Sequence, residues 1–117
     1  MTSAAQVAGA GAEERAARFL ASRGLAIVAR NFRTRLGEID LVARDRETLV
    51  FVEVRSRASG AYGGALESIT ASKRSRIVAA AHAYLALLGS EPPCRFDVML
   101  LEGESMQWIP AAFDVHD

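Results

Sequence analysis

The sequence predicts a single α/β domain, a mixed central sheet flanked by helices, on three observations. Strand-like runs are grouped between two helical segments, giving the order α-β-β-β-α-β with a short final β. The run Leu49 to Arg55 is apolar at both parities up to Glu53, the pattern of a strand buried on both faces at the middle of a sheet. The chain has 117 residues, half of them hydrophobic and 24% charged, enough for one core without an internal repeat or interdomain linker.

Each element has its own signal. Ala12, Ala16, Phe19 and Leu20 recur at helical spacing and Gly24 supplies a stop, which predicts a helix from about Ala12 to Arg23. Glu14 and Arg18 lie on its outer face as an i,i+4 pair, whereas Glu13 falls beside Ala16 and Leu20 at the edge of the apolar stripe. Residues 1–10 are small and are expected to form a disordered tail, leaving 11–117 as the domain. Strands are predicted over Leu25 to Asn31, Glu38 to Ala43 and Leu49 to Arg55, with Gly37 and the cluster Arg44 to Glu47 in the turns. Ser56 to Ser68, rich in Gly, Ala and Ser, reads as a mobile loop. A long helix is predicted from Thr70 to Leu88, ended by Gly89, with Ile77, Ala80, Ala81, Tyr84, Leu85 and Leu88 on one face. Cys94 to Leu101 and Met106 to Ile109 complete the strands.

Several classes of protein are excluded at this level. Fourteen Lys and Arg balance fourteen Asp and Glu, so the chain is neither a polycation that coats nucleic acid nor an acidic disordered tail. One cysteine, Cys94, rules out an intrachain disulfide, and it is expected to be a buried small residue. Ile77 to Leu88 is too short to span a bilayer, and Met1 to Gly11 lacks the charged and apolar regions of a signal peptide. A cytoplasmic protein without membrane contact is the expectation. His82, off its apolar stripe, and His116, in the C-terminal tail, are not expected to be catalytic, and Trp108 reads as packing or an oligomer contact rather than a base-stacking platform. The glycines near Tyr62 lack the order of a P-loop.

Asp40 and Glu53 are out of place. Each interrupts an apolar strand, where a carboxylate costs several kcal/mol unless a cation or a set of donors compensates. Arg55 shares the Glu53 face by strand alternation. Two carboxylates on neighbouring strands suit a hard divalent cation; a buried Asp40–Arg55 or Glu53–Arg55 ion pair explains the same pattern, and alternation alone leaves both open. Lys73, the only lysine, lies one turn before Ile77 and is expected near the start of its helix, pointing toward the sheet, where a cation and free N–H groups suit a phosphate. An ordinary first-turn surface residue is the plainer alternative for it.

The runs Gly37-Glu38-Ile39-Asp40-Leu41-Val42 and Val50-Phe51-Val52-Glu53-Val54-Arg55 resemble the core of the PD-(D/E)xK nucleases, and within it the YraN-like bacterial family of predicted endonucleases, distantly similar to archaeal Holliday junction resolvases. The resemblance extends from Gly11 to Asp114 and takes in Glu13, Tyr62-Gly63, Lys73 and Arg95-Phe96-Asp97-Val98. It implies a restriction-endonuclease-like αβββαβ core, a Mg²⁺ or Mn²⁺ site at Glu13, Asp40, Glu53 and the Val54 carbonyl, and hydrolysis of DNA, branched DNA included, by a homodimer. Ile39 stands where the motif has proline, and Arg55 where it has lysine. An arginine stays protonated, so it can orient water or stabilise negative charge but cannot act as a base. Lys73 is the candidate for the missing lysine's part.

Two further functional classes stay open beside the nuclease. Arg55 favours a nucleic-acid-binding module with little or no cleavage, and ion-paired carboxylates would suit a structural or partner protein. The neutral total is unevenly distributed: residues 1–60 carry a net +3, 61–90 a net +2 and 91–117 a net −5. Arg33, Arg35, Arg57, Lys73, Arg74 and Arg76 are therefore the expected DNA-binding residues.

Overall fold

The computed structural model describes residues 4–57 and 69–114, with side chains for 11–56 and 69–114. Its elements are α1 (Ala4–Ser22), β1 (Ala26–Arg33), β2 (Glu38–Asp45), β3 (Thr48–Arg57), α2 (Ala71–Leu88), β4 (Cys94–Glu102) and β5 (Ser105–Phe113). The strands form one sheet in the order β1-β2-β3-β4-β5, antiparallel except for the β3–β4 pair. That parallel pair requires a crossover, and α2 lies within it. The α/β expectation and the order of elements both hold, with β3 in the centre.

The two helices cover opposite faces. α1 buries Ala12, Ala16, Ala17 and Leu20 against Leu41, Ala43, Val50, Val52, Met99 and Leu101. α2 buries Ile77, Ala80 and Ala81 against Ile39, Val42, Phe51, Phe96 and Val98. Phe51 is stacked near Phe96, with ring centroids 5.5 Å apart, and Tyr84 meets Phe51 edge-on at 5.9 Å. Each aromatic pair of this kind contributes roughly 0.5–1.5 kcal/mol beyond its buried area.

Some boundaries move. The first helix reaches back to Ala4 rather than starting near Ala12, because alanines have the highest helix propensity and nothing before Gly9 interrupts them. Thr70 is the N-cap of α2, its Oγ1 accepting from the Lys73 N–H at 3.1 Å, and Gly89 closes the helix at φ 78°. Arg44 and Asp45 extend β2, leaving the tight turn at Arg46 and Glu47. β5 runs from Ser105 to Phe113, well beyond Met106–Ile109. Cys94 is exposed, contrary to expectation, because it opens β4 at the end of the sheet rather than inside it. Of the Gly-rich segment, Ser56 and Arg57 belong to β3 and the remainder lies outside the described residues, as does His116. His82 is exposed.

Strand alternation fails within β2. Ile39 and Leu41 are two residues apart and would share a face in a regular strand, yet Ile39 enters the α2 core and Leu41 the α1 core. The partner strand turns over opposite them. Asn31 of β1 has φ 51°, between Arg30, which pairs with Leu41, and Phe32, which pairs with Ile39. Asparagine is one of the few residues that tolerates this left-handed conformation. The reversal leaves Asp40 at a break between the two cores.

Candidate functional site

The site begins where β2 and β3 part. Their backbone register runs from Asp45–Thr48 to Leu41–Val52. Beyond it the Asp40 carboxylate takes the place of a backbone acceptor, and the Val54 N–H donates to Asp40 Oδ2 at 2.7 Å. Glu53, on the α2 face beside buried Phe51 and Ile77, keeps only 10% of its side chain exposed. The Asp40 and Glu53 carboxyls come within hydrogen-bonding reach of each other.

The electrostatic consequence is large. Burial, then the Glu53 carboxyl as hydrogen-bond partner and like charge, push Asp40 up to about 8, against the weaker opposing pull of the Val54 N–H and of Lys73. Two carboxylates held this close cannot both ionise without help, so the pair retains a proton or takes up a cation. Glu13 reaches Asp40 from α1. Burial and the negative charge of Asp40 raise its pKa, while a hydrogen bond to Asn31 lowers it. Lys73 approaches from α2, its Nζ 4.0 Å from Glu53 Oε2. Both helices thus contribute charge to the break in the sheet.

Glu53 and Lys73 also open onto a cleft of about 370 Å³, shared with Arg33, Arg35, Arg76 and the Thr34–Gly37 turn. Its floor is Ile77. The turn is closed by the Thr34 N–H donating to the Gly37 carbonyl at 2.8 Å, while Thr34 Oγ1 accepts from the Leu36 and Gly37 N–H groups, each at 3.1 Å. Gly37 lies directly on α2: a Cβ there would collide with the Arg76 carbonyl oxygen. No larger residue fits without moving the turn.

The structure therefore gathers Glu13, Asp40, Glu53 and Lys73, and sets Arg33, Arg35 and Arg76 around the same cleft. Arg33 pairs at the surface with Glu38, Nε to Oε2 at 3.1 Å. Other residues lie elsewhere. Arg55 is half-buried on β3 opposite Leu100 and does not line the cleft. Arg74 turns inward, its Nη1 donating to the Ile69 carbonyl at 3.0 Å. The Arg57 side chain is outside the described residues. The Lys73 N–H is not free for a phosphate, because Thr70 occupies it. Among the described residues no three or more His, Cys, Asp or Glu side chains converge tightly enough to make a metal cage. What fits a hard divalent cation is the Asp40–Glu53 pair itself, two oxygen-donor groups whose mutual repulsion a cation would relieve.

Asn31 was missed by sequence reasoning. It hydrogen-bonds Glu13 and supplies the left-handed residue that breaks alternation. An Asn inside an otherwise strand-like run was the available signal.

Carboxylates at a split in the sheet and a basic cleft beside them define an α/β protein with a built polar site. Residues 12–101 match the model of the family described as "Uncharacterised protein family UPF0102". A UPF0102 protein of Paracidovorax citrulli is 58% identical over 113 residues, spanning 93% of this chain and 84% of its own. One from Burkholderia pseudomallei is 56% identical over 110 residues, spanning 93% and 76%. Another, from Methylibium petroleiphilum, is 52% identical over 113 residues, spanning 91% and 93%. The chain belongs to the UPF0102 family, the YraN-like group that its motifs resemble. No helix among the described residues is long and apolar enough to cross a membrane.

Proposed function

We propose that this protein is a metal-dependent endonuclease acting on DNA. One observation carries the reading: Asp40 and Glu53 are held together at the parting of two strands, where a cation could replace the proton they share, next to a cleft rimmed by arginines. The Asp40–Glu53 pair would hold Mg²⁺ or Mn²⁺, with Glu13 close enough to bear on its charge. A cation there would activate water and offset charge on the scissile phosphate.

The protein's own groups have separate tasks. Asp40 is fixed by the Val54 N–H and cannot swing away from Glu53. Lys73, 34% exposed, lies near Glu53 and lines the cleft, so it can follow a phosphate oxygen while its positive charge pulls weakly against the rise of Asp40. Arg33, Arg35 and Arg76 supply backbone contacts that are independent of base sequence. Arg33 would exchange Glu38 for phosphate.

The test has two readouts. Mn²⁺ or Mg²⁺ should raise the melting temperature at pH 8, with stabilisation of about 2.7 kcal/mol at a hundredfold excess over the dissociation constant. The rise should vanish in Asp40→Asn and Glu53→Gln. Cleavage of duplex, single-stranded, flap and four-way DNA should require the metal and be lost in the same variants. Salt-sensitive binding without cleavage of any substrate would replace the nuclease by the binding module, a reading that Arg55 in the lysine position favours.

A further inference from the structure

Leu36 is 68% exposed at the tip of the turn that forms one wall of the cleft. A single exposed leucine is unremarkable on most surfaces. This one directly follows Arg35 and lies three residues after Arg33, shares the cleft with both and with Arg76, and sits on a turn that cannot drift. Thr34 ties the turn to itself through four hydrogen bonds, and Gly37 seats it against the backbone of α2 at Arg76, one turn from Lys73. The leucine is thereby held in a fixed relation to Glu53 and Lys73. Guanidinium groups around it would grip phosphates, and the base stack is the largest apolar surface that lies between the phosphates of a duplex.

We propose that Leu36 is an apolar wedge that enters the base stack of duplex DNA beside the phosphate presented to Asp40 and Glu53. The proposal rests on the nuclease reading and narrows its substrate. Leucine is among the side chains that proteins insert between base steps, and such insertion unstacks the step and kinks the duplex. A step that opens easily, at a mismatch, a nick or a branch, costs less to unstack than one in continuous duplex, so the wedge converts local weakness of the DNA into binding preference. Its rigid mount serves this, since a mobile turn would fold away rather than part the bases.

The experiment compares the wild type with Leu36→Ala and Leu36→Met in EDTA, where no metal supports cleavage. Two 30-base-pair duplexes are used, one continuous and one with a central mismatch, each carrying 2-aminopurine beside the centre. The wild type should prefer the mismatched duplex by about tenfold and brighten its 2-aminopurine. Leu36→Ala should bind continuous duplex within about twofold of the wild type, because its phosphate contacts remain, and lose both the preference and the brightening. Leu36→Met should keep both. Equal preference and brightening in Leu36→Ala, or a wild type that binds without brightening, overturns the wedge. Metal-dependent cleavage measured on the same duplexes then shows whether the nuclease reading survives: cleavage without unstacking removes the wedge alone, and no DNA binding at all removes both.

Discussion

Two aspartates interrupt apolar strands in this molecule, Asp40 on β2 and Asp97 on β4, and their surroundings are opposite. Asp97 has no exposed surface, yet three residues supply it with donors. Arg95 donates through Nε at 3.0 Å and Nη2 at 3.3 Å, Trp108 through Nε1 at 2.9 Å, and the Ala111 N–H at 2.9 Å. Arg95 is held in turn by Asp45, Nη1 to Oδ2 at 2.9 Å. The network lies on the α1 face, since Asp97 is in register with Val52, and it secures the irregular β4–β5 pairing at Ala111, whose φ is 50°. Asp40 receives one backbone N–H and faces two more carboxyls. Both stand in apolar strands; the balance of donors against acceptors separates a fully satisfied fastening from a carboxyl that must share a proton with its neighbour.

The largest effect should come from the fastening. Asp97→Ala leaves Trp108 Nε1, the Ala111 N–H and part of the Arg95 guanidinium without their acceptor, and should cost about 3–5 kcal/mol in urea denaturation. DNA binding by the folded fraction should be unchanged. A loss below about 0.5 kcal/mol would mean that water replaces the carboxylate and that the two aspartates differ less than their partners suggest.

Asp40 should behave in the opposite sense. Its folded-state pKa is raised from 3.8 to about 8, so the native state holds a proton that the unfolded chain releases. That contribution is complete below about pH 4 and is lost as pH rises toward 8, because ionisation of Asp40 in the folded protein must be forced against Glu53. Asn cannot ionise, and its side-chain oxygen can still accept from Val54. Asp40→Asn should match the wild type near pH 4 and be more stable at pH 9 by about 1–3 kcal/mol, read from melting temperatures across that range. Parallel wild-type and variant curves would show that the pair carries no excess proton. An excess of Mg²⁺ at pH 9 should narrow the gap by stabilising the wild type alone.

How much of this could be read in the sequence depends on which force fixes each feature. Periodicity and end signals located the elements because helix faces and strand parity are local properties: β3, apolar at both parities, is the central strand, and Gly89 ends α2. Glu13, Asp40, Glu53 and Lys73 stood out as polar residues in apolar settings, and the structure brings them together. Alternation could not show the turnover at Asn31 and Asp40, which comes from one left-handed residue acting across two strands. Nor could it show that Gly37 is required by the backbone of α2, some forty residues away in sequence, or that Thr70 takes the Lys73 N–H. Arg74 was expected to face DNA on charge alone, whereas its guanidinium donates to Ile69. The resemblance supplied the nuclease expectation; what the geometry adds to it is a strained pair of carboxyls and a basic rim.

The smallest effect should separate the two roles open to Lys73. Its charge pulls Asp40 downward, but it is 34% exposed and 4.0 Å from Glu53, so solvent screens much of the interaction. Lys73→Met keeps an unbranched stem of similar length beside the cleft that Ile77 also lines and removes the ammonium. At pH 9 the wild-type carboxylates lean on that ammonium, and the variant should be less stable by about 0.5 kcal/mol, with its pH transition displaced upward. Near pH 5, where Asp40 is already protonated, the part of the difference that comes from Asp40 should be absent. A loss that does not change with pH would assign Lys73 a packing part rather than an electrostatic one. If the pH-dependent loss appears and metal-dependent cleavage is also reduced, Lys73 serves the carboxylates and the phosphate together; if cleavage is unchanged, its charge acts on the carboxyl pair alone.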